Sequence, residues 1–224
     1  MKNLKAFTLA ELLIVIGIIG VVAALTIPSV RLNASDIESI SRFQKSESVI
    51  QSAIDMAKAK YGNQISQWGD TSKIATRIAK NLSVEETCGL EKSAVCFSQE
   101  SVKAISGNNT LSAIGNNENY YKLLLENDVS VGFYSNSTNK NLEIYLDLNG
   151  PKKGANTMGK DIFIMKTDSN GVITFSDISK VNVKACRETP SSGEKCSDWI
   201  HVTGNNEYVN CDDSTLSDST ITCN

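Results

Sequence analysis

The sequence predicts an α+β protein. Its long N-terminal α-helix has a transmembrane N-terminal half, and its C-terminal half packs on an antiparallel β-sheet. A disulfide-containing C-terminal region completes the chain. Three observations predict this. A long apolar stretch near the N-terminus is followed by a helical stripe. The second half holds short alternating segments separated by turn signals. All six cysteines lie beyond the apolar stretch.

The composition sets the frame. The chain has 224 residues, with 22 Lys+Arg, 25 Asp+Glu and a formal charge of -3. That length fits one ordinary domain plus a short extra element. The charge balance argues against a basic nucleic-acid-binding face and against an acidic disordered tail. Hydrophobic residues make up 41% of the chain, enough for a packed core. The mean hydropathy of -0.17 averages two unlike parts.

The first part is the stretch from Phe7 to Ile27, 21 residues of which 16 are apolar and only Glu11 is charged. About 20 such residues span a bilayer. Lys2 and Lys5 precede the stretch, so the positive-inside rule keeps the N-terminus cytoplasmic and exports the remainder. A secretory signal peptide cut near Val22-Ala23-Ala24 is one reading, and an uncleaved anchor is another. Neither gives a role to Glu11. A carboxylate at the edge of an apolar span is costly and calls for a partner.

Ala6-Phe7-Thr8-Leu9-Ala10-Glu11-Leu12-Leu13 resembles the processing and methylation motif of type IV pilins and type II secretion pseudopilins. The resemblance implies a leader of residues 1–6, removed by prepilin peptidase between Ala6 and Phe7, and N-methylation of the new Phe7 amine. It implies that Glu11 balances the amine of a neighbouring subunit as helices stack into a filament. Residues 7–28 then form a transmembrane and filament-core helix, and Pro28 falls where many pilins carry a helix-kinking proline. Residues 29–224 become an exported pilin-like domain. The implied partners are other pilin or pseudopilin subunits, prepilin peptidase, the inner membrane and an assembly platform. The implied location is a single-pass protein of the bacterial inner membrane with a periplasmic C-terminal domain, later part of a periplasmic or cell-surface filament. One residue departs from the pattern: Ala6 stands where the family usually has Gly, and both are small.

After Pro28, which by itself would end or kink a helix, apolar residues resume at steps of three and four. Ile37, Ile40, Phe43, Ile50, Ile54, Ala57 and Tyr61 form a stripe, and Gly62-Asn63 is the stop. A continuous helix from Thr8 to Tyr61 would be about 80 Å long at 1.5 Å per residue. Two helices broken at Pro28 are the alternative. Asp70 caps a short helix with Ile74, Ile78 and Leu82 on one face. The mixed segment 62–119 ends in a Ser/Asn/Gly-rich stretch, 106–119, that reads as loop.

Residues 120–176 read as a β-meander. Tyr120 to Leu125 and Val129 to Tyr134 flank Asn127-Asp128. Leu142 to Asp147 alternates. Ile162 to Lys166 and Val172 to Phe175 flank Asp168-Ser169-Asn170-Gly171. One face of the sheet should cover the helical stripe, and the other should be partly solvated.

Cys88, Cys96, Cys186, Cys196, Cys211 and Cys223 are an even set on the exported side, which reads as disulfides. Six cysteines allow 15 pairings. The sequence neighbours Cys88–Cys96 and Cys186–Cys196 are favoured, with Cys211–Cys223 closing the tail. No C-x-x-C pair occurs and His201 is the only histidine, which disfavours zinc. The Cys-rich region 186–224, with Trp199 and Tyr208, is similar to the cysteine-rich ends of some pilin-like proteins. The residues alone allow either a small stapled subregion with these aromatics as its core or a dedicated binding surface.

Asp147, Asn149, Asn156 and Asp161 lie in an oxygen-rich loop. Hard cations such as Ca²⁺ take six to eight oxygens from residues of this kind. Lys152 and Lys153 inside the loop oppose a cation, and the bland reading is that Asn and Asp satisfy loop backbone groups. No nucleophile motif, P-loop or other enzyme constellation is present, so no enzymatic activity and no cofactor beyond a possible Ca²⁺ is expected. The reading is thus a filament subunit; the alternative is a minor or tip pilin, or a secreted adhesin-type binding module that contacts its ligand through 186–223.

Overall fold

A computed structural model describes residues 9–107, 109–136, 141–154, 156–176 and 183–211; within these, the side chains at 23–36, 183 and 192 are excluded. The residues fall into two compact units, 1–38 and 39–224. The first helix, α1 (Leu9–Tyr61), is helical through position 28 and ends where Gly62 takes φ 95°. Glycine tolerates that conformation and terminates helices for that reason. The Gly62 N–H donates to the Lys58 carbonyl at 2.9 Å, closing the last turn.

In the second unit, the α1 side chains Phe43, Ile50, Ala53, Ile54 and Ala57 are buried, as the helical stripe requires. The next helix, α2 (Thr71–Ala79), begins at Asp70, whose carboxylate accepts from the Lys73 N–H at 2.9 Å. It buries Ile74, Ala75 and Ile78.

The main sheet has six antiparallel strands in the order β1 (Val84–Gly89), β4 (Tyr121–Leu125), β5 (Ser130–Ser135), β6 (Leu142–Asp147), β7 (Ile162–Thr167) and β8 (Ile173–Thr174). The short strands β2 (Val102–Lys103) and β3 (Thr110–Leu111) form a separate pair. β4 to β8 are the expected meander. Asp128 at φ 62° turns β4 into β5, and the Asp168 carboxylate accepts the N–H groups of Asn170 and Val172, both at 2.9 Å, to turn β7 into β8. β1 is an addition that the sequence did not reveal. Its pairing with β4 shifts register twice, between Val84 and Glu86 and between Thr87 and Gly89.

The expectation of a partly solvated second face is corrected. Leu123, Val131, Leu146 and Phe163 lie in one cross-strand row, and Phe163 meets Phe43 of α1 at a ring distance of 5.0 Å. The neighbouring row, Lys122, Gly132, Tyr145 and Ile164, points to the opposite face, because successive strand residues alternate. That face is covered too. Phe97 and Tyr120 lie against Gly132, and Tyr120 meets Tyr145 edge-on at 5.1 Å. The segment between β1 and β4, which carries no clear periodicity, is therefore a second lid on the sheet.

Two disulfides are defined, Cys88–Cys96 and Cys186–Cys196, each between sequence neighbours. Cys211 is also disulfide-bonded; Cys223 lies outside the described residues. The Cys186–Cys196 bridge ties α3 (Val183–Glu188) to α4 (Glu194–Thr203), and α4 packs on β7.

Candidate functional site

The N-terminal helix carries the strongest functional signal. Glu11 lies in its first turn and is exposed. It is the one charged residue from Leu9 to Val22, and Leu12, Leu13, Ile14, Val15, Ile16, Ile18 and Ile19 around it are all exposed. An apolar surface on every side of a helix requires cover from outside the unit, by lipid or by other helices. Among the described residues no helix is long and apolar enough to cross a membrane. Ala6 and Phe7 lie outside the described residues.

The β6–β7 loop brings together three of its four candidate oxygen donors. Asp147 ends β6 and is fully buried. Its Oδ1 accepts the N–H groups of Asn149 at 3.2 Å and Gly150 at 3.0 Å, while its Oδ2 is buried without a hydrogen-bond partner. Asn149 Nδ2 stands 3.4 Å from Asp161 Oδ2, and Asn149 Oδ1 is also buried without a partner. Asp161 Oδ1 accepts from the Thr157 N–H at 2.6 Å. The backbone at Gly154 closes over this group: a Cβ there would stand 2.1 Å from Asn149 Nδ2 and 2.7 Å from Asp161 Oδ2. Asn156 does not join them. It adopts φ 45° and donates from Nδ2 to Ser98 Oγ at 2.9 Å.

The electrostatics match the geometry. Burial first, then the charge of Asp161, push the Asp147 carboxyl up to about 7, against the pull of the two N–H donors. Burial also raises Asp161, opposed by the Thr157 N–H. Lys153 does not neutralise the pair, because its Nζ is 3.3 Å from Asp128 Oδ2. Among the described residues no group of three or more His, Cys, Asp and Glu is placed to hold a metal ion. What the loop does bring together is two carboxylates and one amide, with Asp147 Oδ2 and Asn149 Oδ1 buried without a hydrogen-bond partner.

The C-terminal region is a stapled core. Trp199 and Tyr208 are buried, with their rings edge-to-face at 6.0 Å. Trp199 Nε1 donates to Asn205 Oδ1 at 2.9 Å, and the Tyr208 hydroxyl donates to the Gly159 carbonyl at 2.6 Å. Arg187 Nη1 donates to the carbonyls of Tyr208 and Val209, so a buried guanidinium ties α3 to the segment after α4.

Sequence reasoning missed the role of Lys122. It lies within the otherwise apolar strand β4 and is fully buried. Its Nζ donates to the carbonyls of Asn117 at 2.7 Å, Tyr120 at 2.9 Å and Leu90 at 3.3 Å. Burial lowers the lysine's pKa, and the nearby Glu118 opposes that shift. A lone cation among apolar strand residues was the available signal.

Comparison with known proteins gives one match. Residues 1–27 match the family described as the prokaryotic N-terminal methylation motif, the prepilin motif of type IV pilins and pseudopilins. No curated protein and no solved structure matches the chain.

Proposed function

We propose that the chain is a structural subunit, a pilin or pseudopilin, of a type IV pilus or type II secretion-like filament. In this reading prepilin peptidase cleaves between Ala6 and Phe7, the Phe7 amine is methylated, and the apolar helix anchors the subunit in the inner membrane before assembly. The observation that carries the reading is the methylation motif at residues 1–27, with Glu11 as the one charge in the exposed, mostly apolar stretch Leu9–Val22. Mass spectrometry of the protein from membranes or sheared filaments is expected to find a mature N-terminus at methylated Phe7. A mature start at Leu25 would instead identify a released signal peptide and a secreted adhesin-type module, and would overturn the filament reading.

We further propose that Asp147, Asn149 and Asp161 hold a calcium ion, with Asn156 outside the ligand set. The buried, partnerless Asp147 Oδ2 supports this. Asp147→Asn retains an oxygen for the two N–H groups and removes a buried charge. The cation-free variant is expected to be more stable than the native protein by about 1–4 kcal/mol. Millimolar Ca²⁺ should raise the melting temperature of the native protein and leave that of the variant unchanged. Equal Ca²⁺ responses in the two proteins would exclude the site.

A further inference from the structure

A cavity of about 680 Å³ opens between the segments 92–101 and 112–119, away from the β6–β7 loop and from the C-terminal core. Its lining includes Gln99, Ser101, Ser112 and Asn119. All four residues are exposed, and their side chains donate to and accept from no other described residue. Each amide or hydroxyl is both a donor and an acceptor, so together they present a mixed hydrogen-bonding surface. The two charged residues in the lining, Lys92 and Glu118, are of opposite sign, and no aromatic ring faces the cavity.

The frame behind this surface is rigid. The Cys88–Cys96 bridge closes one wall at its base. Gly115 locks the two walls together: it accepts from the Ser93 N–H at 2.9 Å and donates to the Ser98 carbonyl at 3.3 Å. A Cβ at Gly115 would stand 2.6 Å from the carbonyl oxygens of both Phe97 and Ser98, so only glycine allows this approach. Asn116 Nδ2 adds a bond to the Gln99 carbonyl at 3.2 Å. The buried Lys122 ammonium fixes the carbonyls of Leu90, Asn117 and Tyr120 behind both walls.

The backbone frame is preformed, so a ligand has only the exposed lining side chains left to order. Its volume lies within the range of small-ligand sites. Alternating donors and acceptors without net charge match the hydroxyl array of a sugar; a free anion would need an excess of cations, and an aromatic ligand would need a stacking partner. We propose that this cavity, framed by Gly115 and Lys122 and lined by unpaired amides and hydroxyls, binds a neutral saccharide of one or two rings. The proposal does not depend on the filament reading, because every residue it uses lies within the unit 39–224.

The test is saturation-transfer difference NMR on the full chain in a detergent without a sugar headgroup. The probes are millimolar glucose, galactose, N-acetylglucosamine, cellobiose and lactose, with galacturonic acid as the charged comparison. At least one neutral sugar is expected to receive saturation. Gln99→Ala combined with Asn119→Ala should reduce that signal at least fivefold at an unchanged melting temperature, whereas Asp147→Asn should leave it intact. Three outcomes would each overturn the proposal: no transfer to any neutral sugar, transfer to galacturonic acid alone, or full transfer in the double variant. Should the double variant melt at a lower temperature, Ser112→Trp, which fills the cavity from an exposed position, gives the same decision.

Discussion

Glu11→Ala protein is expected to reach the membrane at normal abundance, to be cleaved before Phe7, and to fall at least tenfold in sheared filaments. The size of this effect follows from where the carboxylate sits. It lies in the first turn of a helix whose other residues through Val22 are uncharged and mostly apolar. A charge placed within an apolar span costs about 2.5–3.5 kcal/mol on insertion scales, so it persists only with a compensating partner. In the proposed filament, the amine freed by cleavage before Phe7 would bring a neighbouring subunit's positive charge to Glu11. Removing one member of a buried pair leaves the other unpaired at a cost of about 3–5 kcal/mol. Each 1.4 kcal/mol is a factor of about ten in an equilibrium constant, so the loss on assembly exceeds a hundredfold at equilibrium. Glu11→Ala filaments at native yield would reject the pairing.

Trp199→Ala is expected to destabilise the unit 39–224 by about 3–5 kcal/mol, the usual cost of emptying a buried aromatic site. Trp199 is 2% exposed and Tyr208 is fully buried, so neither ring is available to a ligand. The truncation removes the edge-to-face contact and leaves Asn205 Oδ1 without its indole donor. It also undermines Tyr208, whose hydroxyl reaches the Gly159 carbonyl in the β6–β7 loop. Urea denaturation gives the measurement. A loss below about 1 kcal/mol would show that the pair is not a core and would reopen 186–211 as a binding surface.

Local signals made most of the elements legible in the sequence. The stripe Phe43, Ile50, Ile54 and Ala57, the Asp70 cap and the two hairpin turns each depend on residues a few positions apart, and each leaves a period or a turn signature. β1 leaves neither. Its residues Val84-Glu85-Glu86-Thr87 are largely exposed, and their partner strand begins more than thirty positions later. The cover of the second sheet face was hidden for a related reason: Phe97, in the segment between β1 and β4, meets Gly132 of β5, and nothing in either neighbourhood names the other. In the candidate cation loop, composition identified Asp147, Asn149 and Asp161 but could not separate them from Asn156, which a positive φ turns toward Ser98. The Lys153 charge looked adverse in sequence; its pairing with Asp128 became visible only when the β4–β5 turn was placed beside the loop.

The two outer strands of the main sheet bear on how copies of the protein tolerate crowding. A bare strand edge is a template for pairing with another chain. β8 has only two residues, too few to start a continuous ladder. β1 is longer, but two register shifts interrupt its regular hydrogen-bonding repeat, and Glu85 and Glu86 place like charges along it. A second β1 brought alongside would meet broken spacing and carboxylate against carboxylate. Neither outer strand therefore offers a long, regular edge for pairing with another copy.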